Sequence, residues 1–156
     1  MKALLIATSL CVAQLGAAEK GFTPLFNGKD LSGWQGIEGP TTNWVAKDGI
    51  LSCTGKKGSQ WIATKKEFSN FDLRLEYKIP TDGNSGVFIR APKEGNPWVT
   101  GLEIQVLDDY GPKWKDLKPD QFTAAIYAVQ PPSERATKKA GEWQTLRILS
   151  LIHISE

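Results

Sequence analysis

Histidine and cysteine are scarce in this chain, which has one histidine and two cysteines among 156 residues. Metal sites built from clusters of those residues are therefore excluded, as are nucleophilic triads that pair a serine or cysteine with a histidine. Phosphate-binding glycine loops are absent too. The single His153 lies near the end of the sequence, where we assign it no role. Cys53 is expected to be a small apolar core residue.

An excess of charge of one sign is also missing. Lysine and arginine number 19 against 17 aspartate and glutamate residues, giving a formal net charge of +2. This balance gives no electrostatic reason to bind nucleic acid or an anionic membrane surface. We therefore expect neither as a partner.

No apolar run is long enough to span a membrane, but the N-terminus has the form of an export signal. Lys2 supplies a basic start, the stretch from Ala3 to Leu15 is mostly apolar, and Gly16-Ala17-Ala18 offers small residues for cleavage. We predict a signal peptide over residues 1–18 and a secreted or periplasmic protein that has no membrane contact after cleavage. The alternatives are an uncleaved anchor or a buried N-terminal helix.

The rest of the chain has the pattern of an all-β sandwich, because short β-type runs alternate with Gly, Pro, Asn and Asp. In residues 71–79 apolar and charged side chains alternate completely, which is typical of an antiparallel strand with one face on the core. Residues 44–51 predict a hairpin that turns at Asp48-Gly49. We predict further strands at 60–63, 86–91, 101–107, 123–128 and 143–149. The loop over 108–122 is long enough to suggest that it walls a site.

Two of these strands carry polar groups where a structural strand would be apolar. Glu103 and Gln105 lie two residues apart, so they project from one face of the sheet about 6.6 Å apart. Phe88 and Arg90 share a face of the neighbouring strand by the same rule. A carboxylate, an amide and a guanidinium on adjoining strands suit a sugar-binding face. The alternative is a cross-strand Glu103–Arg90 ion pair worth about 0.2–1 kcal/mol, with Asn84-Ser85-Gly86 serving as a turn.

Aromatic residues in the loops are candidates for stacking on a sugar ring. Trp114 lies in the long loop, and Trp98 follows Pro97 in another polar loop. The alternative is that both cover the hydrophobic edge of the sandwich.

Four motifs along the chain together resemble the 3-keto-disaccharide hydrolase domain family, over residues 21–148. The motifs are Phe26-Asn27-Gly28-Lys29-Asp30-Leu31-Ser32-Gly33-Trp34, Lys47-Asp48-Gly49-Ile50-Leu51, Asn84-Ser85-Gly86 with Arg90, and Glu103-Ile104-Gln105-Val106-Leu107-Asp108. The resemblance implies a concanavalin A-like jelly-roll β-sandwich. It also implies a hydrolase that acts on carbohydrates already oxidised to a ketone at sugar carbon 3.

Two segments depart from the family pattern. Relatives have Thr-Gly-Ala where this chain has Thr123-Ala124-Ala125, a mild change if the backbone there is an ordinary strand. Residues 149–156 do not continue the family's sequence, which runs on for further strands. We therefore expect residues 19–148 to be a sandwich domain truncated at its C-terminus, followed by a non-native tail over 149–156.

The chemistry that the resemblance implies assigns roles to particular residues. A ketone at carbon 3 acidifies the hydrogen on carbon 2, so Glu103 is the candidate base that starts an elimination, and hydration follows. Arg90 would stabilise the developing negative charge, and Gln105 would orient a sugar hydroxyl. Tyr127 would donate a hydrogen bond to a sugar oxygen or protonate the leaving group. Asp108 would contact substrate or, because its side chain has the opposite parity to Glu103, cap the loop.

A cofactor is not required by this chemistry, although a divalent ion held by Glu103 or Asp108 could polarise the ketone. An ordinary glycosidase is less well supported, because it needs two carboxylates about 5–9.5 Å apart and alternation places only Glu103 on the face. A non-catalytic carbohydrate-binding module on the same sandwich is the second hypothesis.

Overall fold

Strands make up almost all of the regular structure. The computed structural model describes residues 3–6, 11–13, 19–37, 39–55 and 61–152. The strands are β1 (Ala3–Ile6), β2 (Cys11–Ala13), β3 (Trp34–Ile37), β4 (Trp44–Lys47), β5 (Ile50–Cys53), β6 (Trp61–Thr64), β7 (Phe71–Lys78), β8 (Asn84–Ala91), β9 (Leu102–Leu107) and β10 (Gln144–Ser150). A short helix α1 covers Pro97–Thr100, and 3₁₀ turns cover Pro112–Trp114 and Pro119–Gln121.

These strands form two antiparallel sheets of five strands each. The first sheet has the order β3-β6-β1-β8-β9 and the second has the order β10-β7-β2-β5-β4. Apolar side chains from both sheets form one core, which includes Val87 and Val106 from the first sheet and Leu51 and Tyr77 from the second. The predicted all-β sandwich is therefore confirmed.

Strand β7 and the hairpin turn at Asp48-Gly49 form as their sequence patterns predicted. Tyr77 and Ile79 are buried in the core, and the apolar residues that precede them on the same face pack against it. Asp48 and Gly49 both have positive φ values, 52° and 75°, as a two-residue hairpin turn with the right twist requires.

The first sheet has a second, smaller apolar cluster on the face that points away from the core. Phe88 belongs to this cluster with Ile37, Ala63 and Ala91, and Trp61 packs against it. Because the side chains of a strand alternate, the neighbours of Phe88 along β8 point into the core instead. We call this outward face of the first sheet the site face.

The N-terminal segment contributes an interior strand to each sheet. β1 pairs with β6 and β8, and β2 pairs with β5 and β7. The alternative of a buried N-terminal helix is wrong for these two segments, which are strands. Whether residues 1–18 are removed as a signal peptide stays a prediction. Within the described residues, no helix has the length and apolar character needed to cross a membrane.

Two of the local interpretations are wrong. Residues 123–128 form turns joined by isolated bridges rather than a strand, since Ala124 and Ala128 have φ values of 69° and 57°. Asn84-Ser85-Gly86 is not a turn but the first part of β8.

The C-terminal strand continues beyond the predicted domain boundary. β10 pairs with β7 as far as Ser150, which lies opposite Phe71. The non-native origin of residues 149–156 stays a prediction, and His153 lies outside the described residues.

Candidate active site

A glutamate lies on the site face above a glycine of the neighbouring strand. In the antiparallel pairing of β8 with β9, Phe88 is opposite Glu103 and Gly86 is opposite Gln105. A Cβ atom placed on Gly86 would lie 2.3 Å from Oε1 of Glu103, so the carboxylate would have to move to make room for it. Gly86 therefore leaves the space that the Glu103 carboxylate occupies. The sequence pattern alone did not assign this role to Gly86, although a glycine inside an apolar strand is a signal of close approach.

Burial raises the pKa of Glu103 from 4.5 to about 7. The desolvation penalty falls on the charged form of the carboxyl group, and none of the ion pairs among the described residues includes Glu103. The cross-strand ion pair with Arg90 is therefore wrong. A carboxyl group with a pKa near neutrality is suited to accept and return a proton.

Arg90 is directed to the other sheet, so the structure does not bring it to Glu103. Its Nη2 donates to the carbonyl oxygen of Ser69 at 3.0 Å and to Oγ of Ser150 at 2.8 Å. The reason is local: Arg90 has a φ of 56°, at the point where the pairing of β8 with β1 shifts register. That irregularity breaks the alternation on which the prediction depended. The contacts of Arg90 tie the two sheets together and do not support the role of charge stabiliser.

Gln105 shares the parity of Glu103 but is only 2% exposed. Its Nε2 donates to the carbonyl oxygen of Gln121 at 3.2 Å, and its Oε1 accepts from the amide of Val106 at 3.1 Å. The expectation that Gln105 orients a sugar hydroxyl is therefore corrected. Gln105 holds the loop that ends at Gln121 against β9.

Tyr127 lies beside Glu103 across a short backbone pairing. Its amide donates to the carbonyl oxygen of Glu103 at 2.9 Å, and the preceding Ile126 forms a bridge with Ile104. Ile126 packs against the core, and the next residue, Tyr127, is 37% exposed beside Glu103. Its hydroxyl accepts a hydrogen bond from Nε2 of Gln121 at 2.8 Å. Nothing in the sequence pattern indicated Gln121, which reaches Tyr127 only through the loop fold.

Asp108 closes a turn, as the loop-capping alternative predicted. It is 4% exposed, and its two oxygens accept hydrogen bonds from the amides of Asp82 at 2.9 Å and Tyr110 at 3.4 Å. Substrate contact by Asp108 is therefore not supported.

Trp114 is half-buried in a 3₁₀ turn with Nζ of Lys113 at 4.4 Å from its ring centre. No contact found among the described residues joins Trp114 to Glu103.

The two predicted metal ligands do not come together. Glu103 lies over Gly86 on the site face, whereas the Asp108 oxygens are taken up by backbone amides. In the described ranges, no three His, Cys, Asp or Glu side chains are grouped to hold a metal ion. The residues present therefore do not fit a divalent ion.

A buried polar network behind the long loop also went unrecognised in the sequence. Oγ1 of Thr123 donates to Oδ1 of Asp109 at 2.8 Å, and Oγ1 of Thr137 donates to the other carboxylate oxygen at 2.9 Å. Burial and the negative charge of Asp109 raise the pKa of Tyr77 to about 12. The network fixes the chain on both sides of the loop that carries Gln121.

Comparisons with known proteins bear on the family and the fold. The family model of the 3-keto-alpha-glucoside-1,2-lyase-like domain matches residues 21–151. A protein of Bacteroides thetaiotaomicron named 3-keto-disaccharide hydrolase is 29% identical over 158 aligned positions, which cover 87% of this chain and 54% of that protein. The chain therefore spans about half the length of that curated relative.

Two crystal structures from Parabacteroides distasonis, both assigned as glycosyl hydrolases, have similar folds. The first has a TM-score of 0.76 and 33% identity, covering 88% of this chain and 68% of the other. The second has a TM-score of 0.60 and 30% identity, covering 76% and 63%.

Proposed function

The chain belongs to the family of 3-keto-alpha-glucoside-1,2-lyase-like domains, and from that premise we propose that it is a carbohydrate-active hydrolase that cleaves 3-keto-glycosides. The observation that carries the proposal is the half-buried Glu103 carboxyl group, accommodated by Gly86 and with its pKa raised to about 7. The family description names a lyase, whereas the relative is named a hydrolase. The two names are compatible, because a lyase step followed by the addition of water is a hydrolysis.

The reaction that fits this site starts at sugar carbon 2. The ketone at carbon 3 acidifies the carbon 2 hydrogen, and the Glu103 carboxylate removes it as a proton. The electron pair of the broken C–H bond forms the enolate. When the enolate returns to the ketone, a double bond forms between carbons 1 and 2, and the bond from carbon 1 to the glycosidic oxygen breaks. That oxygen takes up a proton from an acid, a role for which Tyr127 is the candidate, and the proton of the water that adds later restores this acid. Water then adds its hydroxyl to carbon 1 and a proton returns to carbon 2, so the sum is hydrolysis.

One carboxyl group with a pKa near 7 suits this route better than it suits an ordinary glycosidase. A general base works best when its pKa lies near the working pH. The two-carboxylate route would need a partner for Glu103, and Asp108, the other acidic residue of the motif, holds the loop closed instead.

Tyr127 is the neighbouring group positioned to donate a proton or a hydrogen bond. Because Gln121 donates its amide hydrogen to the Tyr127 oxygen, the hydroxyl hydrogen remains available for a sugar oxygen. We propose that Tyr127 donates to the enolate or to the leaving oxygen.

The first experiment compares a 3-keto-glucoside with its unoxidised parent and measures release of the leaving group. We expect cleavage of the keto form alone. Glu103→Gln should lower kcat by at least about 100-fold, because it removes the base, while sugar binding persists. Glu142→Gln, at an exposed site, serves as the matched control and should retain activity. Folded protein that binds sugar and cleaves neither compound would instead be a carbohydrate-binding module.

We also propose export, supported by the basic Lys2, the apolar stretch that follows it and the small residues at 16–18. Mass spectrometry of the exported protein should find Glu19 at the N-terminus. A mature chain that retains β1 and β2 would contradict cleavage. Cleavage would remove an interior strand from each sheet, so the same sample should be tested for cooperative unfolding.

A further inference from the structure

An exposed tryptophan lies on the short helix that precedes the strand carrying Glu103. Trp98 is 52% exposed, a large fraction for such a residue, and it belongs to α1, which leads into β9. The helix is fixed by its own hydrogen bonds: the amide of Gly101 donates to the carbonyl oxygen of Pro97 at 2.8 Å, and Oγ1 of Thr100 donates to that of Asn96 at 3.1 Å. These hydrogen bonds close the helical turn that carries the indole.

Small residues let this helix approach the sheet closely. A Cβ atom on Gly101 would lie 2.6 Å from Cβ of Ala91, so only glycine permits the approach. Trp98 reaches Trp61 of β6, and the two ring centres are 4.9 Å apart with an interplanar angle of 69°. Such an edge-to-face pair holds both rings in place while part of Trp98 stays in contact with solvent.

The aromatic pair continues the site face that carries Glu103. Trp61 packs against the cluster that contains Phe88, and Phe88 is directly opposite Glu103. The strand of Trp61 lies three positions from that of Glu103 in the sheet order, or about 14 Å at the usual strand spacing. A substrate bound at Glu103 therefore reaches the aromatic pair only if it extends beyond its oxidised ring.

We propose that Trp98, supported by Trp61, forms a stacking subsite for the leaving sugar of a disaccharide whose oxidised ring lies at Glu103. The apolar C–H face of a pyranose matches the exposed indole surface, and a fixed aromatic side chain loses little conformational entropy on binding. This inference rests on the proposed function and adds to it a residue that contacts the leaving sugar: through Trp98, disaccharides should be preferred to glycosides with small leaving groups. If Trp98 only covered the edge of the sheet, its removal would affect every substrate equally.

The test compares 3-keto-maltose with methyl 3-keto-α-glucoside as substrates of Trp98→Ala. We expect the ratio of kcat/KM for the disaccharide to that for the methyl glycoside to fall about three- to tenfold, the factor expected for one aromatic contact. Trp98→Phe should recover most of the ratio because it keeps an aromatic face. Val99→Ala, at the neighbouring residue that is 71% exposed, is the control and should keep the wild-type ratio.

Two outcomes overturn the subsite: an unchanged ratio in Trp98→Ala, or an equal loss with both substrates. A calorimetric titration with unoxidised maltose separates this inference from the proposed function. If the wild type cleaves neither keto compound, the proposed function fails. Weaker maltose binding by Trp98→Ala than by Val99→Ala would still support the subsite, and equal binding would refute it.

Discussion

Replacement of Gly86 by alanine tests how the site holds its base. The added Cβ would lie 2.3 Å from Oε1 of Glu103, 2.8 Å from its Cγ and 3.0 Å from its Cδ. Because the whole end of the Glu103 side chain faces the new methyl group, the carboxylate has to move by an appreciable fraction of an ångström. A displacement near 1 Å at a catalytic group costs roughly 100-fold in rate, which corresponds to about 2.7 kcal/mol of transition-state stabilisation.

The fold should tolerate the same change. The atoms that must move belong to a flexible side chain rather than to the backbone, and alanine reduces the entropy of the unfolded chain, so the free energy of unfolding should change by less than about 1 kcal/mol. Gly33→Ala is the matched control, since a Cβ there would meet nothing closer than 3.5 Å.

The assay measures kcat/KM on a 3-keto-glucoside alongside urea unfolding for both variants. We expect Gly86→Ala to lose about 100-fold in kcat/KM with normal unfolding, and Gly33→Ala to resemble the wild type in both. Wild-type activity in Gly86→Ala would refute the view that this glycine positions the base. A parallel loss of activity and stability would show a structural role instead.

Three further predictions concern pH and stability. Because burial raises the pKa of Glu103 to about 7, kcat/KM should rise with pH through that value. The protonated carboxyl group also contributes about 1–2 kcal/mol to the free energy of unfolding, after allowance for solvent screening. This contribution should be fully present below pH 4.5 and should be lost as the pH rises through 7. Glu103→Gln should abolish both dependences, and an unchanged pH profile would contradict the assignment. Ala124→Gly should raise the free energy of unfolding by about 0.5–1 kcal/mol, because alanine is strained at a φ of 69°; lower stability in urea would show that the left-handed backbone is not present. Thr123→Val should lower the free energy of unfolding by about 1–3 kcal/mol, because the Thr123 hydroxyl donates to Asp109 and accepts from the Leu107 amide. Thr123→Ser keeps the hydroxyl and should retain most of the stability in the same assay.

The backbone angle of Ala124 also changes one interpretation made from the sequence. The family resemblance implies glycine at this position, and the change to alanine is mild only in an ordinary strand. The left-handed φ at Ala124 shows that the backbone there favours glycine. Sequence alone could not distinguish the two cases, because the apolar residues around Ala124 also fit a strand.

The first family motif is structural. Oδ1 of Asn27 accepts hydrogen bonds from the amides of Lys29 and Asp30 at 2.8 and 2.9 Å. Hydrogen bonds from Ser32 and Asn27 lower the pKa of Asp30 to about 2. The motif therefore forms a tight polar turn before β3, which accounts for its residue types without a catalytic role.

Local patterns determined the sandwich, the main strands and the candidate base. The alternation in β7, the Asp48-Gly49 turn and the shared parity of Glu103 and Gln105 depend only on the two-residue period of a strand, which the sequence states directly. These features need no knowledge of distant residues.

Tertiary structure decided what each polar side chain does. The register shift at Arg90 turned it toward Ser69 and Ser150, and the loop fold brought Gln121 to Gln105 and Tyr127. The contacts of Arg90 and Gln105 join residues at least 16 positions apart, and the Gln121–Tyr127 contact depends on the turns between them, so no local period encodes them. The space above Gly86 arises in the same way, from pairing two strands in one register. The sequence determined which residues could do chemistry, and the pairing of strands determined that Glu103 is accommodated for it while Arg90 and Asp108 hold the fold.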